Sequence, residues 1–158
     1  MKVPNEELQR RLRRLREELS AAGIKQTHQR LEIFREVAGS GDHPCAETVY
    51  RGVRRRVPSI SLDTVYRTLW LLLDLGLVGT LGRSRDRTRF DADTRPHHHF
   101  VCSRCGMTMD FYSEEFDGLG LPGGAGEIGS ARRARVEIEG ICADCARSDR
   151  KERRRKDE

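Results

Sequence analysis

No apolar run in this sequence approaches the roughly 20 residues that a membrane-spanning helix needs. The charged N-terminus also has no signal-peptide core. A membrane protein is therefore not expected, and a cytoplasmic one is. Equally absent are a glycine-rich phosphate loop, a nucleophile elbow and an H-E-x-x-H helix. The chain thus lacks the usual carriers of nucleotide, acyl-transfer and metalloprotease chemistry, and an enzyme is not expected. Hydrophobic residues make up only 36%, nearly matched by charged residues at 35%, so the core must be modest and the surface heavily charged. The 158 residues suffice for one ordinary domain or two small ones. The net charge of +5 and a pI near 9.2 favour an acidic partner such as nucleic acid.

Cysteine is sparse but patterned. Four of the five form two C-x-x-C pairs, Cys102 with Cys105 and Cys142 with Cys145. Such pairs suit one tetrahedral zinc site, each gripping the ion through a tight turn, and Gly106 fits the first turn. Two disulfides or a thioredoxin-like redox pair are the alternatives. Disulfides belong to oxidising compartments, so zinc is favoured. Cys45 stands apart and reads as a small buried helix residue.

Histidine is concentrated at 97–99, where three of the five lie together. In an extended strand His97 and His99 share one face and His98 takes the other. Two imidazoles beside Asp91 and Asp110 make a mixed nitrogen and oxygen site suited to iron, manganese, zinc or nickel. A solvated histidine run is the plainer alternative.

Four helices are expected before these motifs. Leu8, Leu12, Leu15 and Leu19 stripe the first, which Gly23 ends. Thr27 caps a second helix with Leu31, Ile33, Phe34 and Val37 buried. The third runs from about Ala46 to Arg56 with Val49, Tyr50 and Val53 inward, and Pro58 stops it. Ser61 caps the fourth, whose apolar face is Leu62, Val65, Leu69 and Leu72, with Asp63, Thr64, Arg67 and Thr68 elsewhere. Two short strands, LVGTL and TRF, then flank a turn holding Arg83, Arg85 and Arg87. Helices followed by a basic hairpin spell a winged helix-turn-helix. The fourth helix would offer Ser61, Thr64, Tyr66 and Arg67 to the major groove, and the wing arginines would touch the backbone. Beyond Asp110 the chain turns glycine-rich, RARVEIEGIC alternates like a strand, and the end from Arg147 is a charged, disordered tail.

Three segments, TVYRTL at 64–69, HHHFVCSRCG at 97–106 and IEGICADC at 138–145, resemble the ferric uptake regulator family. The resemblance covers roughly residues 8–146. It implies an α+β chain: an N-terminal winged helix-turn-helix domain and a small C-terminal α/β dimerisation domain with a four-cysteine zinc site. The expected divisions are a DNA-binding domain at 1–88, a hinge at 89–95, a metal-binding and dimerisation domain at 96–146 and a tail at 147–158. The resemblance further implies a homodimeric repressor on double-stranded, palindromic operator DNA. It places structural zinc on Cys102, Cys105, Cys142 and Cys145, and a regulatory iron or manganese on His43, Asp91, His97, His99 and Asp110, with His43 at the start of the third helix. Aspartate at both carboxylate positions resembles the peroxide-sensing members, in which ferrous iron and peroxide oxidise a ligand histidine, here His97 or His99. Iron-sensing relatives tend to carry glutamate there. The alternatives are an iron- or zinc-responsive uptake repressor without peroxide sensing, a zinc enzyme, and a structural zinc module that binds only protein. Two departures stand out. The glycine-rich 117–129 segment is a poor helix former where relatives often place a dimerisation helix. No histidine follows His99, so a further metal site known in some relatives is expected to be absent.

Overall fold

The computed structural model describes residues 2–81, 88–120, 122–130 and 136–148. The chain divides into two compact units, one ending at Thr94 and the other beginning at Arg95.

The first unit is built on four helices: α1 (Asn5–Ala21), α2 (His28–Ala38), α3 (Ala46–Arg54) and α4 (Leu62–Asp74). Leu12, Leu15 and Leu19 of α1 are fully buried against Ile33, Phe34 and Val37 of α2, Val49 and Val53 of α3, and Val65, Leu69 and Leu72 of α4. Burying each such side chain is worth about 1.5–3 kcal/mol, which gives this unit a sufficient core of its own. Helices α1 and α4 stop the same way. Gly23 and Gly76 each take a φ of +66°, which suits a residue without Cβ. The next amide then reaches back into the last turn, Ile24 N–H to the Leu19 carbonyl at 2.8 Å and Leu77 N–H to the Leu72 carbonyl at 2.9 Å. The Thr27 and Ser61 hydroxyls cap α2 and α4 as expected, accepting from the Arg30 and Thr64 amides at 3.3 and 3.1 Å.

Some details differ from the sequence reading. Helix α3 ends at Arg54, short of the expected Arg56. Thr68, assigned to the open side of α4, is buried. It sits one helical step from Val65 and Leu72, so the buried stripe runs straight through it.

The wing consists of β1 (Gly79–Leu81) and β2 (Arg89–Asp91), paired antiparallel with Gly79 opposite Asp91. Leu77 and Val78, expected within the first strand, are instead buried in the core. Arg89 and Phe90, expected in the second strand, lie in it, and that strand extends one residue further, to Asp91. Its outer edge is also engaged, because Phe90 N–H donates to the Pro44 carbonyl at 3.0 Å and Cys45 bridges Arg89. The connection between α2 and α3 is thereby held against β2. Arg83, Arg85 and Arg87 lie outside the described residues.

The second unit is a three-stranded sheet in the order β4–β3–β5, with β3 (His98–Cys102), β4 (Thr108–Phe111) and β5 (Glu137–Gly140). Strands β3 and β4 form a hairpin with His99 opposite Asp110, and β5 joins β3 in parallel. Two short helices, α5 (Glu114–Asp117) and α6 (Gly123–Ile128), follow β4. Helix α6 corrects the expectation for the glycine-rich segment. Pro122, which lacks an N–H and has φ fixed near the helical value, starts it, and glycine tolerates the helical backbone at a cost in entropy. A helical turn over 143–148 includes Arg147 and Ser148, both assigned to the tail; the tail beyond them, 149–158, lies outside the described residues.

The two units differ in what fills them. The described hydrophobic side chains buried in the second unit are only Cys102 and Cys142, and its other buried residues are His97, His98, His99 and Thr108. Met109, Tyr112, Leu119, Ile128, Ile138 and Ile141 are exposed. Among its described residues this unit has no apolar core comparable to that of the first.

Candidate metal centres

The β3–β4 hairpin and the segment after β5 bring all four paired cysteines together, with their sulfurs within 4.8 Å of one another. Gly106, at a φ of +71°, closes the first turn, and its amide donates to the Cys102 carbonyl at 2.9 Å. Backbone amides point at the sulfurs: Cys142 N–H lies 3.3 Å from Cys102 Sγ, and Cys145 N–H lies 3.5 Å from Cys142 Sγ. The Cys142 amide leads in pulling the Cys102 thiol down to about 6, so a thiolate is favoured there at neutral pH. Cys145 is pushed up to about 12, first by its contact with Cys142 and then by burial. The opposite shifts of Cys102 and Cys145 show neighbouring thiols competing for charge, which a cation among the sulfurs would relieve. The donor set fits tetrahedral zinc, which takes four sulfurs at about 2.3 Å. No disulfide joins any of the five cysteines.

The histidines follow strand alternation. His97 and His99 turn to one face, their Nε2 atoms 2.8 Å apart and their rings at 87°. Asp110 Oδ1 lies 3.5 Å from His99 Nε2 and 3.9 Å from His97 Nε2, as the cross-strand pairing requires. His97 Nδ1 lies 2.8 Å from the Arg95 carbonyl, which can only accept, so Nδ1 is the donor there and the neutral ring keeps its lone pair on Nε2. Two nitrogens bound at about 2.1 Å to one ion stand roughly 3 Å apart, close to the spacing found here.

His98 points the other way. It packs on Phe111 and Phe116, with Nε2 at 3.2 Å from Asp117 Oδ1 and Nδ1 facing the Val136 amide at 3.4 Å. It joins β3, β4, α5 and the start of β5 from within.

The first unit carries its own donor pair. His43 and Asp91 are both buried, and His43 Nε2 lies 3.8 Å from Asp91 Oδ1. His43 is not on α3 but in the connection before it, at a φ of +47°, and is the sole described non-glycine residue at positive φ. The residue before a proline is ordinarily extended, so this backbone is strained by roughly 1–3 kcal/mol. The Arg89 guanidinium holds it by donating to the His43 carbonyl at 3.2 Å. Cys45 is neither buried nor within the helix: it is the N-cap of α3, half-exposed, with Sγ 3.3 Å from Thr48 Oγ1.

On α4, the expected DNA-contacting residues fall into two groups. Thr64 and Arg67 line a groove of about 270 Å³ between α2 and α4, along with Thr27 and Arg30, and Arg67 pairs with Asp63 at 2.9 Å. Ser61 is spent on the cap. Tyr66 is half-buried, and its hydroxyl donates to Glu47 of α3 at 2.6 Å, which holds the Glu47 carboxyl below its usual range. Arg11 and Asp93, for which no role was expected, form a partly buried pair with a 3.1 Å contact. The clue present in sequence was a second aspartate two positions after Asp91.

A winged-helix unit followed by a small sheet unit bearing a thiol cluster and a histidine–carboxylate cluster defines a metal-responsive, DNA-binding regulator. The ferric uptake regulator family model matches residues 21–120, and the chain belongs to that family. It is 32% identical over 127 residues to the peroxide-responsive repressor PerR of Staphylococcus epidermidis, an alignment covering 80% of this chain and 85% of that protein. Among solved structures, the Helicobacter pylori ferric uptake regulator Fur shares the fold with a TM-score of 0.70 at 22% identity, over 92% of this chain and 97% of the other. A zinc-bound manganese uptake regulator matches with a TM-score of 0.61 at 30% identity, over 81% of this chain and 98% of the other. No helix among the described residues is long and apolar enough to cross a membrane.

Proposed function

We propose that this chain is a homodimeric, metal-dependent transcriptional repressor that leaves its operator when hydrogen peroxide oxidises a ligand histidine. The convergence of His97 Nε2 and His99 Nε2 to 2.8 Å, beside Asp110, carries the reading. In this reading His43, Asp91, His97, His99 and Asp110 share one regulatory ion, iron or manganese. Cys102, Cys105, Cys142 and Cys145 hold a structural zinc. Ligands drawn from both units make the spacing of two recognition helices in a dimer depend on occupancy. A palindromic duplex needs those helices about 34 Å apart. The exposed apolar residues of the second unit support pairing with a second copy. Thr64 and Arg67 read the groove from α4, Ser61 and Tyr66 set that helix, and Arg83, Arg85 and Arg87 meet the backbone. Reduced thiols at the zinc suit a cytoplasmic setting.

Ferrous iron, if held by these residues, would activate the oxygen–oxygen bond of peroxide by lending an electron that the ring later returns, so that iron is not consumed in the net change. The protein decides where the oxidant lands. In the net change one imidazole C–H becomes C–O, two electrons pass from the ring to peroxide, and the second peroxide oxygen leaves as water. The altered ring is a poorer donor, so the ion is released and the recognition helices lose their spacing. Aspartate at Asp91 and Asp110, as in peroxide-sensing relatives, supports this over a repressor that gauges metal level alone.

The test is fluorescence anisotropy on a duplex selected from random oligonucleotides with zinc- and manganese-loaded protein. Binding should be sequence-selective, require manganese and fall at least tenfold in His43→Ala. Equal binding with and without manganese would remove the regulatory ion from the account. Manganese-dependent binding that peroxide leaves untouched in the iron form would favour the uptake-repressor alternative.

A further inference from the structure

Two aspartates, Asp91 and Asp93, are buried two positions apart at the end of the wing. Burying two carboxylates so close is unfavourable unless each is compensated. Asp93 has its own cation. Arg11 of α1 reaches Asp93 Oδ2 at 3.1 Å, and the same guanidinium donates to Glu7 Oε1 at 2.7 Å and to the Ala38 carbonyl at 3.2 Å. Only 11% of the Arg11 side chain meets solvent. Its geometry is therefore fixed by α1, by the end of α2 and by its three partners.

That anchor is coupled to Asp91. The Asp93 amide donates to Asp91 Oδ1 at 2.7 Å, in a buried contact. Where the Asp93 side chain is held, its amide is held, and with it the rotamer of Asp91. Arg14, one helical turn along α1, pins the next residue through the Thr94 hydroxyl.

We propose that Arg11 is a positioning residue for the regulatory site: it neutralises Asp93 and, through the Asp93 amide, presents the Asp91 carboxylate to the metal. The proposal rests on the reading that Asp91 is a ligand. With Arg11 in place, the charge of Asp93 is balanced and its amide stays aimed at Asp91 Oδ1. Without it, the buried Asp93 carboxylate loses its guanidinium, and the segment carrying both aspartates is free to shift. By linkage, an ion on Asp91 should in turn tighten the docking of α1.

The experiment titrates manganese(II) into the full-length, zinc-loaded protein, following free manganese by electron paramagnetic resonance and α1 amides by hydrogen exchange. Arg11→Met should weaken manganese binding at least tenfold and abolish the manganese-dependent protection of α1, while zinc content stays the same. Arg11→Lys keeps the charge without the fork, and should recover part of the affinity; it is also the variant to read if Arg11→Met folds poorly. Arg56→Met breaks a different ion-pair network, with Glu32 and Glu36 at 2.5 and 2.7 Å, and should lower the melting temperature without moving manganese affinity. Wild-type manganese affinity in Arg11→Met, beside clear loss in Asp91→Ala, would overturn the positioning role alone. Wild-type affinity in Asp91→Ala would overturn the ligand reading and this proposal with it.

Discussion

Three adjacent histidines do two different things, and strand alternation divides them. His97 and His99 converge on Asp110, whereas His98 is enclosed by Phe111, Phe116 and Asp117. His98→Ala should therefore cost stability, about 2–4 kcal/mol for emptying a buried aromatic-lined site. It should leave manganese-dependent DNA binding in place. Urea denaturation and anisotropy on the same sample check both halves. If metal response fails while stability holds, the face assignment is wrong. The alternation was legible because period two is a property of any strand. The partners of His98 were not, because Asp117 meets it only once α5 has folded back. The same limit hid Arg11: a charged residue on a helix reads as solvated until a buried carboxylate far along the chain is found beside it. Thr68 shows the converse error, a polar residue carried into the core by its helical position between apolar neighbours.

Among the elements, α3 and α4 are joined by the Tyr66–Glu47 hydrogen bond at 2.6 Å. The Tyr66 hydroxyl is the leading cause of the lowered Glu47 pKa. Because the folded value lies below the usual 4.5, this contact stabilises the protein fully above pH 4.5 and is lost as the pH falls through the folded value. Tyr66→Phe should thus lower stability by about 0.5–1.5 kcal/mol at neutral pH. The gap from wild type should close as the medium is acidified, as thermal melts over a pH series would reveal. A gap that widened in acid would mean that the hydroxyl does not act through Glu47. Helix α6 makes a different prediction. It buries nothing, and added Cβ atoms at Gly124 and Gly126 meet open space. Gly124→Ala with Gly126→Ala should raise local helicity by about 0.5–1 kcal/mol per site and slow amide exchange in 123–128. The global melt should stay unmoved. The helices of the first unit were readable because caps, glycine stops and leucine spacing all agreed. Helix α6 was not, because composition alone argued against it while Pro122 supplied a start.

At the scale of the molecule, stability is unevenly divided. The first unit has a continuous apolar core, and the second has sulfur and imidazole where a core would be. A structural zinc supplies on the order of 10 kcal/mol to such modules. Cys102→Ser, or strong chelation, should then unfold the second unit while the first keeps its own melting transition. Calorimetry should show the loss of one transition and survival of the other. A single transition unchanged by zinc removal would contradict the division. The thiol cluster was the most legible feature of all, since two C-x-x-C pairs leave few other uses in a reduced chain.

The central claim is that peroxide is read as a covalent change on a ligand histidine. It is tested most directly by mass spectrometry of the peptide containing His97 and His99, after anaerobic loading with ferrous iron and a brief peroxide pulse. One added oxygen atom on His97 or His99, in step with release from DNA and absent from manganese-loaded protein, is the predicted result. Release from DNA with both histidines unmodified, and with Cys102, Cys105, Cys142 and Cys145 oxidised instead, would contradict it and make the thiolate cluster the sensor.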